Sequence, residues 1–167
     1  ESQDEEGSKL NECAQRIYGV WTDTADKKGT QIVFCDLSTP KVKYEDYEYG
    51  KDFDAYNDLK YKLVQRGIPA REIAYIHEAN TDEQKQALFD RVNSGAVRVL
   101  IGSTEKCGAG TNVQKRLVAL HHLDTPYRPS DMEQREGRII RQGNTNDKVK
   151  IFTYVTERTF DSYSYQI

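Results

Sequence analysis

Five short apolar runs, separated by stretches whose apolar residues recur at helical intervals, limit most sharply what this chain can fold into. The runs lie at residues 31–35, 73–76, 97–101, 117–123 and 149–155. The middle three and the first are apolar almost throughout, the signature of strands covered on both faces. The last alternates, as a strand near a sheet edge does. Between them, Leu10, Cys13, Ile17 and Val20 share one helical face, with Ser8 as the expected cap. Tyr56, Leu59 and Leu63 share a second face, and Leu88, Phe89 and Val92 a third. Gly67 and Gly95 end those two helices, and Ser130 opens another reaching about Arg141. Residues 159–167 read as the first turns of a closing helix. Strands alternating with helices predict a doubly wound, mostly parallel α/β sheet. Such sheets bind ligands at the carboxyl ends of their strands, so the loops after Ile101 and Leu123 are the places to search.

The 167 residues suffice for one domain with a real core. No apolar run approaches the roughly 20 residues that span a bilayer. No basic-then-apolar leader opens the chain, so a cytoplasmic protein is expected. The start at Glu1 rather than Met points to a piece of something longer. The first seven residues carry Glu1, Asp4, Glu5 and Glu6 and read as a flexible acidic end before a domain over residues 8–167. They account for more than the whole net charge of −3. Residues 98–142 lean basic, with eight Lys or Arg against five Asp or Glu. Cys13, Cys35 and Cys107 are too scattered for a disulfide framework or a metal site, and read as buried thiols. His121 and His122 point to opposite faces of a strand and make a poor metal clip, so no metal ligands are expected here. The tyrosine-rich stretch 38–51 is charge-balanced and reads as a loop that packs its rings on the domain.

Two segments carry chemistry. The loop after the third strand contains Ser103, Thr104, Gly108, Gly110, Thr111 and Asn112. Glycines admit close backbone approach, and hydroxyls and N–H groups hold phosphate. A tight strand-to-helix turn would use the same residues. The chain has no G-x-x-x-x-G-K-[ST] phosphate loop and no acidic box for magnesium. The second segment is Gln134-Arg135-Glu136-Gly137-Arg138-Ile139-Ile140-Arg141-Gln142-Gly143. Arg138 and Arg141 share a helix face, and two rigid guanidinium forks on one face suit a phosphate presented from outside. An exposed helix laced with charge pairs is the plainer alternative.

These motifs, in this order, resemble the second RecA-like lobe of superfamily 2 helicases, with the SWI/SNF-like DNA translocases as the nearest branch. Gln134-x-x-Gly137-Arg138-x-x-Arg141-x-Gly143 is similar to the last motif of that superfamily, and the segment from Ser103 to Asn112 to the one before it. Leu123-Asp124 with Tyr127 and Pro129, Gln31-Ile32-Val33-Phe34, and Ile76-His77 complete a similarity running over about residues 29–163. Helicase proteins of phages and mobile elements, some fused to methylases, carry such lobes. The chain departs from the branch at Ile140, where a histidine is common, and at Ala109 and Thr111, where glycine and leucine are. The resemblance implies that Arg138 and Arg141 are arginine fingers completing an ATP–Mg²⁺ site on a first RecA-like lobe, with Gln134 ordering that interface. It implies that Gly110 and Asn112 line the nucleotide-facing edge, and that Ser103 and Thr104 touch the backbone of a DNA strand. On that expectation the chain alone would not hydrolyse ATP. A non-catalytic nucleic-acid-binding or scaffolding module, or an RNA-directed helicase of the same superfamily, remain the alternatives.

Overall fold

The computed structural model describes residues 2–107, 111–125, 128–137, 143–154 and 160–167. Its centre is a six-stranded sheet. The strands are β1 (Thr30–Phe34), β2 (Ile73–Tyr75), β3 (Val99–Gly102), β4 (Leu117–His122), β5 (Lys148–Tyr154) and β6 (Phe160–Gln166). They lie in the order β2-β3-β1-β4-β5-β6. The first five run parallel, and β6 returns antiparallel to β5. Every residue of β1, β3 and β4 is buried, as near-continuous apolar strands require. The doubly wound sheet expected from the sequence is the one observed.

Helices α1 (Ser2–Asp23), α2 (Ala55–Arg66) and α3 (Asp82–Asn93) supply the flanking layers. On one face Leu10, Cys13 and Ile17 of α1 and Leu59 and Leu63 of α2 pack with Val33, Val99 and Ile101. On the other, Leu88, Phe89 and Val92 of α3 pack with Ile32, Leu100, Leu120 and Ile151. Burying side chains of this size is worth roughly 1.5–3 kcal/mol each, which is what holds the layers to the sheet. The Asp54 carboxylate caps α2 by accepting from Asn57 N–H at 3.2 Å, and the Thr81 hydroxyl caps α3 by accepting from Gln84 N–H at 3.1 Å. A short helix, α4 (Pro129–Glu136), lies beyond β4 at the carboxyl end of the sheet, with Pro129 in its first turn.

Two expectations are corrected. Ser8 lies inside α1 rather than at its start, because the helix already begins at Ser2. Residues 160–166 form β6 rather than a helix. The segment is aromatic-rich, with Phe160, Tyr163 and Tyr165, and its second half, Ser162-Tyr163-Ser164-Tyr165, alternates with a period of two, which suits a strand.

The outer edge of β2 is covered by side chains. Glu72 C=O accepts from Arg98 N–H on the β3 side, so the polar groups of Ile73 and Tyr75 face away from the sheet. Lys60 Nζ donates to Ile73 C=O at 3.0 Å, and Tyr75 N–H donates to Glu78 Oε1 at 3.2 Å. In the stretch 38–51, Tyr44 and Tyr47 pack half-buried on the domain, and Tyr49 stacks on Tyr61 with ring centres 4.4 Å apart. The three cysteines are buried and form no disulfide, and burial pushes the Cys35 thiol up to about 12. No helix among the described residues is long and apolar enough to cross a membrane.

Candidate phosphate-facing site at the carboxyl ends of the strands

From β1 the chain runs to the edge strand β2, returns to β3 beside β1, then crosses to β4 on the other side. The carboxyl ends of β1, β3 and β4 therefore surround the point where the winding reverses, the usual place for a ligand crevice. Three polar residues leave those strand ends: Asp36 after β1, Thr104 after β3 and Asp124 after β4. All three meet the side chain of Arg135, which comes in from α4.

Arg135 is fully buried. Its Nε donates to Thr104 Oγ1 at 2.7 Å. One terminal nitrogen donates to Asp124 C=O at 2.7 Å and faces His122 Nδ1 at 3.3 Å. The other donates to Asp36 Oδ2 and Asp124 Oδ1, both at 2.8 Å. A guanidinium has five N–H donors in a fixed fork, and each has an acceptor here. The guanidinium carbon also lies 5.2 Å from the ring centre of Phe34. A buried charge is tolerated only when it is paired and hydrogen-bonded in this way.

The carboxylates are tied further. Thr104 N–H and Oγ1 both donate to Asp36, each at 2.6 Å. Asp124 Oδ2 accepts from Asp36 N–H at 2.6 Å and Leu37 N–H at 2.8 Å. Burial alone would raise the Asp36 pKa, but the bonds from Thr104 and Arg135 outweigh it and hold the carboxyl below its ordinary value. His122 is pushed down to about 4, by burial first and the Arg135 charge second. Its Nδ1 accepts from Arg135, so the proton sits on Nε2, which faces Glu136 Oε1 at 3.3 Å.

Beside this hub lies an open cleft of about 780 Å³. Asp36, Lys85, Ser103, Lys106, Asp131 and Gln134 are among its lining. Ser103 is half-buried, and its hydroxyl accepts from Lys106 N–H at 3.1 Å. Gln134 is exposed to the cleft, with its amide nitrogen 3.5 Å from Thr104 C=O. Successive residues of a helix point about 100° apart, so Gln134 faces out while Arg135 faces in. Of the expected pair Ser103 and Thr104, only Ser103 has its side chain free to turn toward the cleft. Thr104 is buried, and its hydroxyl is taken on both sides by Arg135 and Asp36. Asn112 is exposed, and its carbonyl accepts from Asn93 Nδ2 at 2.7 Å, which places it beside the end of α3. Gly110, Arg138 and Arg141 lie outside the described residues.

Sequence reasoning passed over Arg135 and Asp36. The sequence held only part of the signal: Asp36 and Asp124 each follow an apolar run that reads as a buried strand, and a carboxylate buried there needs a cation. The histidine pair behaves as its alternation predicts. His121 faces the α1 side, where its ring is stacked on Phe152, and His122 faces Phe34 and Arg135.

The fold is that of a RecA-like lobe, with a short helix bearing Gln134 and Arg135 at the ends of its strands. The chain belongs to the family described as "Helicase conserved C-terminal domain", whose model matches residues 25–143. Among solved structures it is similar to the C-terminal part of the Fun30 ATPase domain, with a TM-score of 0.54 and 19% identity over 78% of this chain and 36% of that one. It is also similar to the Hef helicase domain of Pyrococcus furiosus, with a TM-score of 0.53 and 14% identity over 88% of this chain and 25% of that one. At such identities the likeness is one of fold. A stretch of 64 residues is 31% identical to "Defense against restriction protein B" of Escherichia phage P1, covering 38% of this chain and 3% of that protein. The chain thus spans well under two thirds of each of these three proteins.

Proposed function

We propose that the chain is the C-terminal motor lobe of an ATP-dependent DNA translocase or helicase of the SWI/SNF-like branch, acting in the cytoplasm of a phage- or mobile-element-bearing cell. The observation that carries this reading is the Arg135 hub, which fixes the glutamine–arginine helix against the Ser103 loop at the winding reversal of the sheet. Among the described residues the cleft offers donors for phosphate, namely Ser103, Lys85, Lys106 and Gln134, but no lysine-bearing glycine cradle. ATP and Mg²⁺ are therefore assigned to a first RecA-like lobe. Gln134, with Arg138 and Arg141 just beyond α4, would complete that site from this side, and Gly110 and Asn112 would border it. Arginine fingers of this kind stabilise charge developing on the transferred phosphoryl group. Ser103, seated beside the buried Thr104, would touch a DNA backbone phosphate. Such contacts are independent of sequence and weaken with salt.

The test is ATP hydrolysis by the full-length protein that carries this lobe, with and without single-stranded DNA. Arg138→Ala and Arg141→Ala are each expected to lower kcat by about 10³-fold or more while DNA binding persists. The 167-residue chain alone is expected to show no turnover. Unchanged hydrolysis in both variants would favour a scaffolding module, and stimulation by RNA in preference to DNA would favour an RNA-directed enzyme.

A further inference from the structure

In the function just proposed Arg135 serves only to fix α4 in place, yet it is among the largest fully buried side chains of the lobe. A buried arginine serving stability alone could sit anywhere in the core. This one sits where three strand ends converge, and every bond it makes goes to a strand-end loop or to β4. Through Thr104 it grips the residue next to Ser103. Through Asp36 it grips the loop after β1, which in turn holds Thr104 by two bonds. Through Asp124 it grips the loop after β4, which leads into α4 itself. The ring of bonds is therefore closed: Arg135 to Thr104, Thr104 to Asp36, Asp36 back to Arg135, and Asp124 to both Arg135 and the Asp36 N–H.

From this geometry we infer that Arg135 is a positioning residue that transmits the state of the Ser103–Thr104 loop to the helix bearing Gln134, and so couples nucleic-acid engagement to ATP hydrolysis. The inference rests on the function proposed above and adds a residue and a route to it. A loop movement at Ser103 must carry Thr104 with it. Thr104 has no slack, because its hydroxyl is held from both sides and its N–H is held by Asp36. The displacement is delivered to the guanidinium and hence to α4, one residue from Gln134 and three from Arg138. Buried, fully bonded networks of this sort have few intermediate arrangements, which is what allows a small shift to be passed on rather than absorbed. Thr104 is here a structural link, and Ser103 alone the contact with phosphate.

Arg135→Lys and Asp36→Asn in the full-length protein test the inference. Lysine keeps the charge but has one ammonium in place of the planar fork, so it cannot hold Thr104, Asp36 and Asp124 together. The amide of Asp36→Asn keeps the size of the carboxylate and can still accept from Thr104 N–H, but it offers no charge to Arg135. The measured quantity is the ratio of DNA-stimulated to basal ATPase rate, with the melting temperature and the Kd for single-stranded DNA recorded for each variant. The expected result is a fall in that ratio of tenfold or more, with basal hydrolysis and DNA binding each altered by less than that. A purely structural role would lower basal and stimulated rates together and leave the ratio intact. A folded variant whose ratio stays within threefold of the unmodified protein, or whose two rates fall in proportion, overturns the inference. If Arg135→Lys does not fold, Asp36→Asn is judged by the same ratio. An unmodified protein that DNA does not stimulate would instead refute the proposed function itself.

Discussion

Acidification should weaken this lobe before its carboxylates are neutralised, and the buried pair His121 and His122 is the reason, His121 being the clearer case. The imidazole is fully buried in β4. Its Nε2 lies 2.7 Å from Gln31 Oε1, an atom that only accepts, so Nε2 carries the proton and Nδ1 accepts from Tyr154 Oη at 2.9 Å. Gln31 Nε2 is in turn committed to Ile17 C=O at 2.9 Å. Both ring nitrogens are satisfied by the neutral form. Burial, and secondly the neighbouring His122, push the His121 pKa down from 6.5 to about 3. In the unfolded chain the same group takes its proton near pH 6.5. Below that value the unfolded state binds the extra proton and the folded state refuses it, so stability falls as pH falls. The loss runs at about 1.4 kcal/mol per pH unit and levels off only near pH 3. At pH 5 it amounts to about 2 kcal/mol from His121, and His122, lowered to about 4, acts with the same sign. Urea unfolding followed by far-UV circular dichroism at pH 7, 6 and 5 measures it. With a slope of about 2 kcal/mol per molar urea, the midpoint should drop by about 1 M or more from pH 7 to 5. His121→Gln keeps an amide donor for Gln31 and cannot titrate, so its midpoint should change about half as much. A midpoint flat from pH 7 to 5, or one equally steep in His121→Gln, would refute the reasoning.

Two further predictions concern the strand ends. Asp124→Ala removes the acceptor for Arg135 and for two loop N–H groups, leaving a buried guanidinium short of a carboxylate. It should cost about 3–5 kcal/mol, seen as a large fall in melting temperature. Gly102→Ala would place a methyl 2.6 Å from Ile76 Cγ2 and 2.7 Å from Cys107 Sγ. It should cost about 1–3 kcal/mol in urea unfolding, and displace Ser103 enough to weaken DNA binding in the full-length protein.

What the sequence made legible followed from periodicity. The first four strands are apolar because both faces are covered, and α2 and α3 repeat apolar residues at helical spacing, so those elements were readable from pattern alone. β6 was not, because the two-residue alternation of Tyr163, Ser164 and Tyr165 is too short to announce a strand at the end of the chain. Pattern could find Gln134 because it belongs to a motif. It could not show that the adjacent Arg135 turns inward, since that depends on where α4 leaves β4, a matter of a loop geometry that no periodicity encodes. Thr104 was misplaced in the same way. Its hydroxyl suited phosphate chemically, but Asp36 and Arg135 reach it first, and both come from segments distant in sequence.

The side chains that cover β2 matter to the order in which the chain emerges during synthesis. β2 hydrogen-bonds only to β3, which follows it by more than twenty residues. Lys60 and Glu78, in contrast, lie 13 and 3 residues from the groups they satisfy. The outward polar groups of Ile73 and Tyr75 are therefore engaged by local contacts while the inward ones still await a partner. A nascent chain in which these local contacts had formed would offer one edge of the strand rather than two, removing half of the template on which stray pairing could begin.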